Sequence, residues 1–139
     1  MIEILLPIHI TSGSIALFSA ALAISTEKGK KIHVLSGKSY FWGMVLIFLT
    51  AIPMSIINSN VFLFLIAIFS FYLAFSGMRF AKNRAGVPTR VDLIAVNFMF
   101  LSGIGMWILA IIFFIDSDSQ FITLIVFGFL ALFLGYGDF

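Results

Sequence analysis

Five long apolar runs fill most of this 139-residue chain, with only short polar stretches between them. They cover about residues 4–25, 38–57, 61–79, 90–115 and 121–136. A run of about 20 apolar residues is long enough to cross a hydrocarbon core of about 30 Å as a helix. Lipid offers no partner to a backbone N–H or C=O, so such a run must close its hydrogen bonds within itself. Charged residues make up 10% of the chain, against about 25% in soluble domains, which is too few to cover a water-facing surface. The expected fold is therefore an all-α integral membrane protein: a bundle of five transmembrane helices forming a single domain over residues 1–139. The first run is read as a retained helix rather than a signal peptide. The chain opens Met1-Ile2-Glu3, and its lysines follow the run instead of preceding it.

All eight Lys and Arg lie in two segments, Lys28 to Lys38 and Arg79 to Arg90. These are the first and third inter-helix loops; the second carries no charge, and the fourth carries Asp116 and Asp118. Lys and Arg flanking short spans are held on the cytoplasmic side. Five crossings then put the amino terminus outside and the carboxyl terminus inside, in a multi-pass protein of a bacterial cytoplasmic (inner) membrane. The same segregation argues against nucleic acid as a partner, which would need a basic face on a soluble domain. The expected partners are the lipid bilayer and other membrane subunits or further copies of the chain.

The polar stretches also read as caps. Asn58-Ser59-Asn60 makes a turn able to cap the third helix, and Thr89 with Asp92 has the spacing of a capping box with Asp in place of Glu. Pro7 and Pro53 fall toward the outer ends of their helices and favour kinks. Gly13, Ala16, Ala20 and Ala23 in the first helix, and Ala67, Ser70, Ala74 and Gly77 in the third, recur at three- and four-residue spacing. Small residues so spaced let membrane helices approach closely, so these two helices are expected to pack together.

Polar groups within the spans are the candidate functional residues, because such groups are costly in lipid and need partners. His9 shares a helix face with Gly13, Ala16 and Ala20, and Thr50, Ser55 and Asn58 are its candidate partners at the outer level. His33 belongs to the inner boundary beside Lys30 and Lys31, as a loop residue or a ligand. Tyr40, Trp42, Tyr72 and Ser76 share that level, the Tyr and Trp most simply as an aromatic belt. Arg79 and Asp92 form a rim pair across the third loop or are separately solvated. Asn97 lies roughly 9 Å inside its span at 1.5 Å per residue, where its amide should bond across helices or to a ligand.

Two histidines in a bundle raise the question of haem b. The sixteen residues from His9 to Ser25 rise roughly 24 Å, whereas two nitrogens on one iron lie about 4 Å apart, so these two cannot share one iron. Each would need another ligand, and the methionines Met44, Met54, Met78, Met99 and Met106 are the available substitutes, though packing is their commoner role. The chain has no cysteine, which removes disulfides and thiolate sites. It also has no glycine-rich phosphate loop, no HExxH and no Ser/His/Asp set, so no catalytic residue is assigned and the metal content is left open.

The pattern His9-Ile10-x-x-Gly13-x-x-Ala16-Leu17, then Lys30-Lys31-Ile32-His33-x-x-x-Gly37-Lys38-x-Tyr40-x-Trp42, then Phe62 to Ala67 and Phe69-Ser70-Phe71-Tyr72-Leu73-x-Phe75-Ser76-Gly77, resembles the bacterial predicted membrane proteins grouped as domain of unknown function 2306. The resemblance covers nearly the whole chain. It implies a multi-span membrane protein without an established activity. It also implies a further helix opening with a histidine, so a chain stopping at Phe139 reads as a short version without it.

Three functional classes follow. The first is a structural or interaction subunit of a membrane complex or oligomer. The second is a redox module that holds haem or contacts a quinone through His9 or His33. The third is a small transporter or channel with His9 and Asn97 along its path. The first is expected, and with it a protein that is not an enzyme.

Overall fold

The computed structural model describes residues 1–83 and 86–137, and among these all regular structure is helical. The helices are α1 (Ile2–Ser25), α2 (Lys31–Ile57), α3 (Val61–Lys82), α4 (Arg90–Ile115) and α5 (Gln120–Gly137). All five are long and apolar enough to cross a membrane. The shortest, α5, has 18 residues and so spans roughly 27 Å.

Helix α2 starts at Lys31 instead of near residue 38, so the stretch from His33 to Trp42 is helical rather than a boundary loop. Gly29, at φ +85°, takes the left-handed turn that lets the chain reverse so soon after α1. Ile32, Val34 and Leu35 then continue the apolar pattern, and Gly37 costs a helix only about 1 kcal/mol. The caps follow the sequence more closely. Asn60 Oδ1 accepts from Leu63 N–H at 3.0 Å at the start of α3. Asp118 Oδ1 accepts from Gln120 N–H at 2.9 Å at the start of α5, which gives the acidic turn a capping role. Pro7 and Pro53 both lie inside continuous helices.

The helices form two compact units, Met1–Ser59 and Asn60–Phe139. The first is the α1–α2 hairpin. Its close approach is at Gly43, where a Cβ would lie 3.0 Å from Ala16 Cβ and 3.3 Å from the Ser12 carbonyl oxygen. Small residues of α1 thus meet α2 within this unit. That face is rotated from expectation. Ser12, Ala16 and Ser19 are the buried residues of α1, and a Cβ on Gly13 would touch nothing within 4 Å.

The second unit is built on α3, α4 and α5. Phe69, Tyr72, Val96, Met99, Met106, Ala110, Leu124 and Ala131 form its core. Met99, Met106 and Leu124 are fully buried, so two of the methionines considered as metal ligands are packing residues. Along the α4–α5 seam a Cβ on Gly103 would come within 3.1 Å of Ala131 and Leu132, and one on Gly128 would collide with the Trp107 ring. Phe69 meets Phe127 edge-to-face at 5.1 Å.

Candidate functional site

Both histidines are closed onto their own hairpin. His9 Nδ1 lies 2.9 Å from Thr50 Oγ1. The Thr50 hydroxyl is also within bonding distance of the carbonyls of Leu46 and Ile47, at 2.8 and 2.9 Å; with its proton directed there, its oxygen accepts from the imidazole. Of the three candidate partners, Thr50 is the one used. Ser55 and Asn58 instead donate to the carbonyls of Ile52 and Met54 on their own helix.

His33 Nδ1 lies 2.9 Å from the carbonyl oxygen of Ala23. A carbonyl only accepts, so here too the proton is on Nδ1. Ala23 belongs to the last turn of α1, whose carbonyls have no partner further along the helix. Ser25 and Thr26 donate to the neighbouring carbonyls of Ala21 and Leu22, each at 2.8 Å. His33 is therefore part of the C-terminal cap of α1, half-buried in the first turns of α2, rather than a solvated loop residue. The two imidazoles are joined to α1 at residues 9 and 23, roughly 21 Å apart along its axis.

The Asn97 Nδ2 donates to the Leu93 carbonyl at 2.7 Å, one turn back on α4, and the residue is exposed. A short amide side chain on a helix can reach its own i−4 carbonyl with one N–H.

The polar centre of the second unit lies where α3 ends and α4 begins. Arg79 grips Asp92 with both arms of the fork, Nε to Oδ1 at 2.6 Å and Nη2 to Oδ2 at 2.8 Å. Such bidentate pairing matches the planar guanidinium to the carboxylate. Thr89 completes the group. Its hydroxyl accepts from Arg79 Nη2 at 2.9 Å and donates to Asp92 Oδ2 at 2.7 Å, while its N–H donates to the same oxygen at 2.7 Å. Asp92 is thereby both the capping-box residue of α4 and the anchor of α3. Asn83, the last cap of α3, donates from Nδ2 to the Val87 carbonyl at 2.7 Å and steadies the returning chain.

Beside this network opens a cleft of about 240 Å³. One side of α3 lines it with Tyr72, Phe75, Ser76, Arg79, Phe80 and Asn83, and Asp92 and Ala95 of α4 face it. Tyr72 is 5% exposed and part of the core, so it forms a wall of the cleft rather than an element of an aromatic belt. The sequence did not reveal this cleft, although the i, i+3, i+4, i+7, i+8, i+11 spacing of its α3 residues is the available signal. Among the described residues no three His, Cys, Asp or Glu side chains gather as a metal site.

The fold and its polar groups thus define a class: an all-helical protein whose five helices can each cross a membrane. Comparison with protein-family models, curated proteins and solved structures finds no match.

Proposed function

We propose that the chain is a structural or interaction subunit of a membrane complex or oligomer. In this reading it sits in a bacterial cytoplasmic membrane with the amino terminus outside and the carboxyl terminus inside. The observation that supports it is where the intramembrane polar groups spend their hydrogen bonds. His9, His33, Ser55 and Asn97 bond to helix backbone or to a neighbouring hydroxyl within one unit. Those bonds fix helix register and ends, which is the work of a scaffold. The orientation rests on the confinement of Lys and Arg to the first and third loops. The resemblance to the domain of unknown function 2306 group agrees with a multi-span chain. Purification in mild detergent, followed by mass determination and identification of co-purifying chains, tests the proposal. A species heavier than the 15.4 kDa chain with its detergent is expected, and a lone monomer at every detergent concentration would refute it.

A second reading is favoured by the tautomers. With Nδ1 engaged on a protein oxygen, each imidazole keeps Nε2 for another partner, the arrangement common in metal-bound histidine. His9 or His33 would then hold haem or accept from a quinol. An absorbance spectrum decides this for haem: a Soret band lost in both His9→Ala and His33→Ala supports it, and a spectrum without one removes it.

A further inference from the structure

We infer that the side of α2 running from Lys31 to Leu49 is a docking surface for an anionic phospholipid, with the phosphate held at the lysines and an acyl chain along the apolar residues. Three observations carry it. The first is facing. Lys31, Leu35, Lys38 and Trp42 recur at i, i+4, i+7 and i+11, so they share one side of the helix. All four are exposed, and Leu46 and Leu49 continue the same exposed side. The helix meets α1 elsewhere on its circumference, through Gly43 and His33.

The second is grading. Beyond Lys38, α2 carries no charged residue as far as its end at Ile57. From Lys38 to Leu49 the helix rises roughly 16 Å, and one leaflet of hydrocarbon is about 15 Å deep. Lys31 lies two further turns out, roughly 10 Å, which is enough to pass through a headgroup layer of about 5–8 Å. Val34 and Leu35 stand between the two lysines, whose long apolar stems suit such neighbours. Trp42, 65% exposed, marks the level where charge gives way to hydrocarbon, and its ring packs edge-on against Phe41 at 5.8 Å. Trp107 donates its indole N–H to the Ile125 carbonyl. The indole N–H of Trp42 has no acceptor among the described residues, so it is left for a lipid ester or phosphate oxygen.

The third is charge. Four lysines and one carboxylate, Glu27, lie between residues 26 and 42. Glu27 pairs with Lys30, so Lys28, Lys31 and Lys38 have no anionic partner among the described residues. Each basic residue beside a membrane favours anionic lipid by roughly five-fold. Phosphatidylcholine carries the same phosphate, but its own choline cancels the charge.

This inference requires that the helices lie in a bilayer but not the subunit reading, and its test bears on this side of α2 alone. The full-length protein with Trp107→Phe, whose one tryptophan is then Trp42, is reconstituted in vesicles of equal phosphatidylglycerol and phosphatidylcholine. One lipid or the other carries brominated acyl chains, which quench an indole they touch, so the two quenching depths give the relative occupancy beside Trp42. Phosphatidylglycerol should be preferred by roughly five-fold or more. Lys31→Gln with Lys38→Gln should bring the preference to about one, with helix content by circular dichroism reporting that the variant is folded. Salt at about 1 M, where the Debye length is about 3 Å, should do the same to the unsubstituted lysines. Lys28→Gln, off this side of the helix, should keep most of the preference. Trp42→Phe, with Trp107 as the reporter, should show the two lipids quenching alike. If Trp107→Phe does not fold, the difference in quenching between the native chain and Trp42→Phe gives the same ratio. Equal quenching by both lipids at Trp42, an undiminished preference in the folded lysine variant, or a preference of the same size at Trp107 would each overturn the assignment. So would quenching by neither lipid, the result of a second copy of the chain seated on this side.

Discussion

The imidazole of His33 donates from Nδ1 to the carbonyl oxygen of Ala23, 2.9 Å away, across the turn that joins α1 to α2. The bond caps one helix with a side chain from the next, so it stabilises the helix end and the hairpin together. Losing the donor leaves the Ala23 carbonyl with only the longer 3.3 Å bond from the Thr26 hydroxyl, at a cost of about 1 kcal/mol. His33→Ala should lower hairpin stability by that amount in a denaturant titration in micelles. His33→Asn should recover much of the loss, because its amide nitrogen can reach the position of Nδ1. A ligand role through Nε2 would not be rescued by asparagine, so the pair of variants separates the structural reading from the cofactor reading.

His9 and Thr50 form the second tie of the hairpin. Thr50→Val keeps the shape, removes the acceptor and strands an N–H donor, which costs about 1–3 kcal/mol. Thr50→Ser should be close to neutral. Replacing both partners, as in His9→Leu with Thr50→Val, should be less harmful than Thr50→Val alone, because no polar group is then left without a partner. Thermal unfolding of these variants, of His9→Leu alone and of the wild type gives the comparison, and additive losses in the double variant would contradict the bond.

The parts of this fold that were legible in the sequence are those set by the solvent. Hydrocarbon forces a long apolar run to be helical, so the five elements and most of their ends were readable, as was the cap at Asn60. What was not legible depends on rotations of about one residue around a helix. Ser12 and Ser19, not Gly13 and Ala20, lie on the buried face of α1, and small polar residues serve helix packing as well as glycine does. The bond of Asn97 to its own i−4 carbonyl is likewise invisible to an argument from depth in the span. The α4–α5 seam of Gly103, Gly128 and Ala131 carries the same small-residue spacing that was noticed only in the first and third helices. Of the candidate site, Arg79 and Asp92 could be named from sequence. The cleft beside them could not, because it depends on how the loop returns between them.

Arg79 and Asp92 couple the end of α3 to the start of α4. Their side chains are 32% and 19% exposed, so salt should weaken the pair without abolishing it. Arg79→Ala and Asp92→Ala should each lower the Tm, Asp92→Ala by more, since it also removes the acceptor for the Thr89 N–H. The double variant should lose less than the two single losses combined, because either change alone already breaks the bidentate contact. Repeating the measurement in 1 M salt should shrink that coupling. A Tm loss that is fully additive would show the two residues acting independently.

Gly43 against Ala16 gives the sharpest packing test. The atoms a Cβ would press are Ala16 Cβ at 3.0 Å, the Ser12 carbonyl oxygen at 3.3 Å and Ala16 Cα at 3.4 Å. Two of these are backbone and the third is fixed rigidly to it, so the neighbours cannot swing away. Overpacking of this kind costs about 1–3 kcal/mol, and a branched side chain costs more than a single methyl. Gly43→Val should therefore destabilise the hairpin by at least that range, and Gly43→Ala by a smaller amount. Ala16→Gly should restore part of the loss in the Gly43→Ala background. Gly13→Ala is the control, because its Cβ would meet nothing within 4 Å and alanine is the better helix former. It should be neutral or stabilising by up to about 1 kcal/mol. If Gly13→Ala proved the damaging change and Gly43→Ala the harmless one, the face of α1 that meets α2 would have to be the one through Gly13 and Ala20, and the assignment of His9 to Thr50 would fall with it.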